Sequence, residues 1–270
     1  MRDAFLAIDV GTQSSRAAVL SLDGKVLAIA AQPHAMATPR PGWAEQNPAD
    51  WWDATLHNIR DVVSETMDRA RVQAVATCGQ MHGAVPVARD GVPLTTEAQL
   101  WCDKRAAHIA TEVDSRPDSD ALRRLTGNVP AAAWSGFKLA WMKREEPELY
   151  ARAWKILTPK DFINLRLTGV AATDHSEASG SFLMDSRDGT WSAELIELLD
   201  LEARHLPPIH ASSEVIGAIL PDIARETGLP AGTPVVAGSG DMLALLLGAG
   251  ITTPGAACDT SGTASIISFY

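Results

Sequence analysis

The stretch "AIDVGTQSSRAAVLSLDGKVLAIA", residues 7–30, leaves the chain little freedom in how it begins. Apolar runs at residues 5–8, 17–22 and 26–31 each have the length of a short strand, and glycine-containing turns separate them. Asp23-Gly24 is a strong two-residue hairpin signal, because glycine accepts the positive φ that a type I′ turn requires. The chain therefore opens as an antiparallel meander. Its first turn, Gly-Thr-Gln-Ser-Ser directly after Asp9, joins a glycine to a run of hydroxyls. A Walker or Rossmann loop leads from strand to helix and holds phosphate on the helix amino terminus. This turn leads to another strand, so neither mechanism applies. Two readings stay open. One is a plain hairpin. In the other, N–H groups of Gly11 and Thr12 and hydroxyls of Thr12, Ser14 and Ser15 form an anion-accepting concavity. Asp9 then holds a Mg²⁺ directly or through water, and Arg16 offsets phosphate charge.

Further along, Asn47-Pro48 with Asp50 reads as a helix start: a cap, a fixed φ and an acid in the first turn. Trp52, Leu56, Ile59, Val63 and Met67 recur at helical spacing and give one apolar face. "VQAVATCG" and "AVPVA" read as strands, with "GQMHG" at the end of the first. Residues 103–206 are mostly helical, with breaks at Gly127-Asn128, Thr158-Pro159 and Thr168-Gly169. "TPVVAGSGDMLALLLGAG" then reads as a buried strand, a glycine turn and a helix starting near Asp241.

With 270 residues, 46% hydrophobic and 21% charged, the chain has mass for one large domain or two smaller ones around a real core. Its net charge of −10, without any lysine/arginine run, argues against a nucleic-acid or anionic-membrane surface. Cys78, Cys102 and Cys258 lie far apart without CxxC or CxxH spacing, so neither a zinc site nor a disulfide framework is indicated. "MRDAFLAIDV" is too short in its apolar run for a signal peptide, and no window of about 18 apolar residues occurs. The expected location is cytoplasmic.

Four places could carry chemistry. The opening turn is the first. Asp241 in "GSGDM" is the second: it follows a strand and opens an apolar helix, where catalytic residues of α/β sheets gather. The helix dipole favours its ionised form, which suits a carboxylate that accepts a hydroxyl proton in phosphoryl transfer. A plain helix N-cap is the alternative. Third, Gln80 and His82 in "CGQMHGA" could hydrogen-bond a polyol or merely hold a turn. Fourth, "LWCDKRA" brings Trp101, Asp103 and Arg105 together, either as an aromatic cover for a sugar or as a buried Trp beside an ion pair. There is also an internal echo. "DVGTQS" (9–14) and "DTSGTAS" (259–265) each place Gly-Thr-x-Ser between strand-like runs. If both open equivalent units, the second is cut off after Tyr270.

Taken in order, "DVGTQSSR", "WAEQNPADWW", "GQMHGA", "LWCDKRA", "TGN", "PKDFINLRLTG", "ATDHSEASG" and "VVAGSGD" resemble the amino-terminal domain of the FGGY family of carbohydrate kinases, xylulokinases above all. The resemblance covers nearly the whole chain. It implies an α/β fold, a ribonuclease-H-like (actin-like ATPase) domain whose mixed sheet opens with the meander and is flanked by helices. Residues 1–250 are then the sugar-binding and catalytic domain, and 251–270 the first hairpin of a truncated carboxy-terminal ATP-binding domain. The implied activity is ATP-dependent phosphorylation of a ketopentose or related polyol, with ATP and Mg²⁺ as cofactors. The implied partners are sugar and ATP, without nucleic acid or membrane, and with a homodimer as an open option. By resemblance Asp241 is the general base; Asp9 organises the Mg²⁺–phosphate end; Gly11, Thr12, Gln13, Ser14 and Arg16 face phosphates; Gly262 and Thr263 form a second phosphate loop. Gln80, Met81, His82, Trp101, Asp103, Asp241 and Met242 line the sugar. Xylulokinases usually carry Asn where Met242 stands, which removes an amide from the sugar's side. A hexulose or alditol kinase, or a non-catalytic sugar-binding or regulatory relative, are the alternatives. On this reading the 270-residue chain alone is expected to be inactive.

Overall fold

The computed structural model describes residues 1–261 and 265–270. Strands β1 (Arg2–Val10), β2 (Ser14–Ser21) and β3 (Val26–Pro33) form the expected antiparallel meander. Alternation sends Ala4, Leu6, Ile8 and Val10 of β1, and Ser15, Ala17 and Val19 of β2, into the core, which leaves Asp9 and Arg16 on the other face. The β2–β3 turn differs from the type I′ expectation. Ser21 N–H donates to Lys25 O and Gly24 N–H to Ser21 O, and only Gly24 is left-handed, with φ 80°. This is a three-residue loop closed by a glycine bulge, which allows Asp23 an ordinary backbone and leaves its carboxylate to accept from the Ser21 hydroxyl.

Helix α1 (Pro48–Thr66) starts as expected: Asn47 Oδ1 accepts the Ala49 N–H at 2.9 Å, Pro48 occupies the first position and Asp50 the first turn. Its buried stripe is centred a little differently. Trp51, Trp52, Leu56, Ile59 and Val62 are buried, whereas Met67 is exposed beyond the helix end. The helix carries the chain back so that β4 (Ala70–Gly79) pairs parallel with β1. "AVPVA" is a strand at Val85–Val87, but it pairs with Lys155–Leu157 instead of joining the central sheet.

The middle is helical, as expected: α2 (Ala107–Asp114), α3 (Ser119–Thr126), α4 (Ser135–Glu145), α5 (Pro147–Arg152), α6 (Pro159–Thr168), α7 (His175–Ser179) and α8 (Ala193–Leu198). The three breaks are element boundaries. Gly127 and Gly169 are left-handed C-caps of α3 and α6, and Pro159 opens α6. α2, α4 and α5 pack around Phe137, Ile109 and Tyr150 in a second apolar core beside the sheet.

Strand β5 (Val215–Ala218), helix α9 (Pro221–Thr227), strands β6 (Pro234–Val236) and β7 (Ser239–Gly240) and helix α10 (Asp241–Gly248) complete the main body. The seven-stranded sheet runs β5-β6-β4-β1-β2-β3, with β7 also beside β4. β1, β4, β6 and β7 are mutually parallel where they pair, so the sheet is mixed. Between β6 and β7 the chain bends at Gly238, with φ 76°, and a Cβ there would lie 1.9 Å from the Thr77 carbonyl oxygen. Only glycine permits that approach, and it is what lets β7 rejoin β4 in register. β8 (Ala257–Ser261) and β9 (Ser265–Phe269) pair with each other. Among the described residues no helix is long and apolar enough to cross a membrane.

Candidate active site

Parallel strands β1, β4 and β7 end at one edge of the sheet, and their last residues form a row. Arg16 stands opposite Asp9, Asp9 opposite Cys78, and Cys78 opposite Ser239, two residues before Asp241. The row opens into a cleft of about 1030 Å³ lined by Asp9, Gly11, Thr12, Arg16, Met81, His82, Trp101, Asp241 and Met242, among others. Nine residues singled out from sequence are thus gathered at the carboxyl end of parallel strands, where α/β sheets place ligands.

Asp9 is half-buried and ion-paired with Arg16 at 3.1 Å. Burial raises its pKa, and Arg16 opposes the rise. Asp241 is raised to about 6: burial contributes most, the Met242 N–H at 2.7 Å opposes it, and the charge of Asp9 adds to it. The helix amino terminus was expected to favour the ionised form; it does pull downward, but desolvation outweighs it. Cys78, between the two carboxylates, is pushed up to about 12 by burial and by their charges, so it stays a thiol.

The turn after β1 departs from the expected concavity. Gly11 N–H donates to Ser14 O, so it is used within the turn. The Thr12 hydroxyl donates to Gln80 Oε1 at 3.2 Å and accepts from Trp101 Nε1 at 3.0 Å. Ser15 faces the core beside His34, because strand alternation points it inward. The hydroxyls of Thr12 and Ser15 are therefore engaged within the protein. What remains free in the turn are the N–H groups of Thr12 and Gln13, which find no acceptor among the described residues. Gln13 is exposed and its carbonyl accepts from His34 N–H; Ser14 begins β2. Gln80 is buried beneath the turn, where its amide donates to Gln46 Oε1 and Gln46 in turn donates to Thr12 O. It braces the loop from below.

Met81 and His82 reach the cleft because two glycines make room for them. A Cβ on Gly240 would meet Met81 Cγ at 2.6 Å, and one on Gly180 would meet His82 Cε1 at 2.4 Å. His82 also sits at φ 65°, a costly backbone state for a residue with a side chain and one that collects at functional sites. Its ring packs edge-on against Trp134 at 4.9 Å, and burial, with Lys138 nearby, lowers its pKa to about 4, so the ring is neutral. Trp101, 43% exposed, lines the cleft, whereas Asp103, 1% exposed, does not. Asp103 is paired with Arg105 at 2.7 Å and accepts the Ala44 N–H, so the structural alternative holds for it. Gly262 and Thr263 lie outside the described residues.

Residues 4–248 match the family model described as "FGGY family of carbohydrate kinases, N-terminal domain". The chain belongs to the FGGY family of carbohydrate kinases. Among its relatives is a xylulose kinase of Escherichia coli, 34% identical, with 97% of this chain and 53% of that protein aligned. A glycerol kinase of Thermococcus kodakarensis is 33% identical over 99% of this chain and 53% of its own length. The crystal structure of a xylulose kinase from Rhodospirillum rubrum superposes with a TM-score of 0.93 at 31% identity, covering 98% of this chain and 54% of that one. The chain thus spans about half the length of the relatives it matches. The neighbours and the mixed sheet bear out the actin-like fold expected from the motifs.

Within this FGGY chain, the backbone entering Asp241 has a buried support that no sequence motif was assigned to. Lys160 on α6 is fully buried, bonded to Asp161 at 2.6 Å and to Asp174 at 3.0 Å. Burial lowers its pKa, but the carboxylates of Asp161, Asp174 and Glu177 outweigh that and raise it, so it stays charged. Its ammonium, at 3.1 Å, and the Asn164 amide, at 2.9 Å, both donate to Ala237 O, directly before the Gly238 bend. Ser176 Oγ then accepts the Gly240 N–H at 2.8 Å. Together they hold the backbone leading into Asp241. The signal was present in "PKDFINLRLTG", where Lys, Asp and Asn interrupt an apolar helix. Asn128, the last residue of "TGN", and Trp134 are also on the cleft wall, though neither was singled out as a site residue.

Proposed function

We propose that this chain supplies the sugar site and the catalytic base of an ATP-dependent carbohydrate kinase acting on a ketopentose or related polyol. The observation that carries the reading is Asp241, a carboxylate of pKa about 6 in the cleft, beside the Arg16–Asp9–Cys78 row. A base poised near operating pH is effective at accepting a proton. Asp241 takes the proton of the attacking sugar hydroxyl while its oxygen bonds to the γ-phosphorus and the bond to the ADP oxygen breaks. Asp9, with Arg16 and the free N–H groups of Thr12 and Gln13, forms the phosphate end. No group of three or more His, Cys, Asp or Glu side chains gathers to hold a metal among the described residues. Asp9 would hold Mg²⁺ directly or through water, and the ion would neutralise phosphate charge.

The sugar lies against Met81, His82, Trp101 and Met242, with Gln80 and Asp103 as positioning groups behind them. Asp103 and Gln80 thus move from contact residues to supports in this reading. Because Met242 offers the sugar no side-chain amide, a hexulose or alditol competes with a ketopentose as acceptor, and relatives named for both xylulose and glycerol fit that breadth. Residues 251–270 open a second, ATP-binding unit; the separate β8–β9 pair supports this division. The enzyme works where Mg·ATP is abundant, in the cytoplasm. The test is Asp241→Ala in the whole protein, assayed with Mg·ATP against pentuloses, hexuloses and alditols. Near-complete loss of turnover with sugar binding retained is expected. Substantial remaining turnover refutes the base assignment, and sugar binding without turnover in the parent protein favours a binding relative.

A further inference from the structure

A second pocket, of about 190 Å³, lies apart from the cleft where the 45–46 strand, the 95–99 segment and the end of α4 converge. Its charge is unbalanced. Glu45, Glu97 and Glu146 line it, with Arg105 the one cation on its wall among the described residues. Arg105 is already committed: it binds Asp103 through two nitrogens and Glu45 at 2.5 Å, and its Cζ lies 3.5 Å from the centroid of the Trp43 ring. Glu97 and Glu146 have no ion-pair or hydrogen-bond partner for their carboxylates among the described residues. The carbonyl end of α4, whose last residue is Glu145, adds partial negative charge beside them.

An independent observation points into the same space. Gln99 is 3% exposed and lines the pocket, yet its Oε1 accepts no hydrogen bond. A buried amide oxygen without a donor costs free energy that a ligand N–H would recover. The remaining wall is Thr95 and the apolar Ala84, Met142 and Leu149. A bare metal ion does not fit this set, since no three carboxylates converge on one point and the volume is far larger than an ion needs.

We propose that this pocket binds a small organic amine, a primary ammonium on a short aliphatic body. The ammonium is held by Glu97 and Glu146 and donates to Gln99 Oε1, while its methylenes lie on Met142 and Leu149. Burial and the charges of Glu45 and Asp50 raise the pKa of Glu97; burial raises that of Glu146, with Arg105 opposing and Glu45 adding, and a bound cation relieves the repulsion from Glu45. The site shares no lining residue with the cleft, so the proposal stands or falls apart from sugar phosphorylation.

The test is calorimetric titration with 1,4-diaminobutane at constant ionic strength, with NaCl and MgCl₂ as controls. Saturable binding is expected, weakened at least tenfold in Glu97→Gln/Glu146→Gln and unchanged in Asp241→Asn. Both glutamates are at least partly exposed, and unaltered circular dichroism of the double variant would confirm that it folds. No saturable heat, equal binding by the double variant, or displacement of the amine by millimolar Mg²⁺ overturns the proposal.

Discussion

Asp241→Asn separates what the base costs the fold from what it does for chemistry. In the folded chain its carboxyl titrates near 6, against a usual 3.8. The raised value means that the folded state binds the proton more tightly than the unfolded state does. Below pH 3.8 both states are protonated and there is no penalty. Between 3.8 and 6 stability falls as pH rises, and above 6 the full penalty persists. A shift of that size corresponds to at most about 3 kcal/mol, and water in the open cleft screens part of it, so ~1–2 kcal/mol is expected. Asparagine keeps the shape and removes the charge. The variant should therefore unfold in urea with ~1–2 kcal/mol more stability than the parent at pH 8, the gap closing towards pH 4. Phosphoryl transfer should be lost at every pH. In the whole protein, kcat/KM should fall on an acid limb near pH 6, because the proposed base must be ionised to accept a proton. A variant that is no more stable than the parent at pH 8 refutes the burial argument, whatever its activity.

Other positions test the supports. Gly238→Ala forces a Cβ onto the Thr77 carbonyl in a left-handed backbone, and a loss of ~3 kcal/mol or more in denaturant unfolding is expected. Lys160→Met strips the ammonium from buried Asp161 and Asp174, and should cost ~3–5 kcal/mol in the same assay at pH 8; without Lys160 burial raises both carboxyls, so the cost should shrink as pH falls and they take up protons. Gly180→Ala drives a methyl into the His82 ring, so sugar affinity measured by calorimetry should fall ~10-fold while the melting temperature moves little.

Much of the fold was legible because its causes are local. Asn47-Pro48, the Gly127 and Gly169 stops and the strand–turn–strand opening each act within a few residues. The ordered motifs likewise led to Asp9, His82 and Asp241, which do meet at one cleft. Reading failed where a side chain had several partners to choose from. The hydroxyls of Thr12 and Ser15 looked like anion ligands, but Gln80, Trp101 and His34 claim them across 68, 89 and 19 residues of chain. Trp101 and Asp103 looked equivalent; two positions apart, one reaches the cleft and the other is sealed against Arg105.

Sequence alone determined the order of elements, the turns that demand glycine and the family's chemistry-bearing residues, because backbone propensity and side-chain type are properties of short stretches. Tertiary structure decided which of those residues face the cleft, since only the register of β1, β4 and β7 sets Arg16, Asp9, Cys78 and Ser239 in one row. It also decided the state of Asp241. The pKa of Asp241 depends on burial and on Asp9, far away in the chain, and neither is written in "GSGDM".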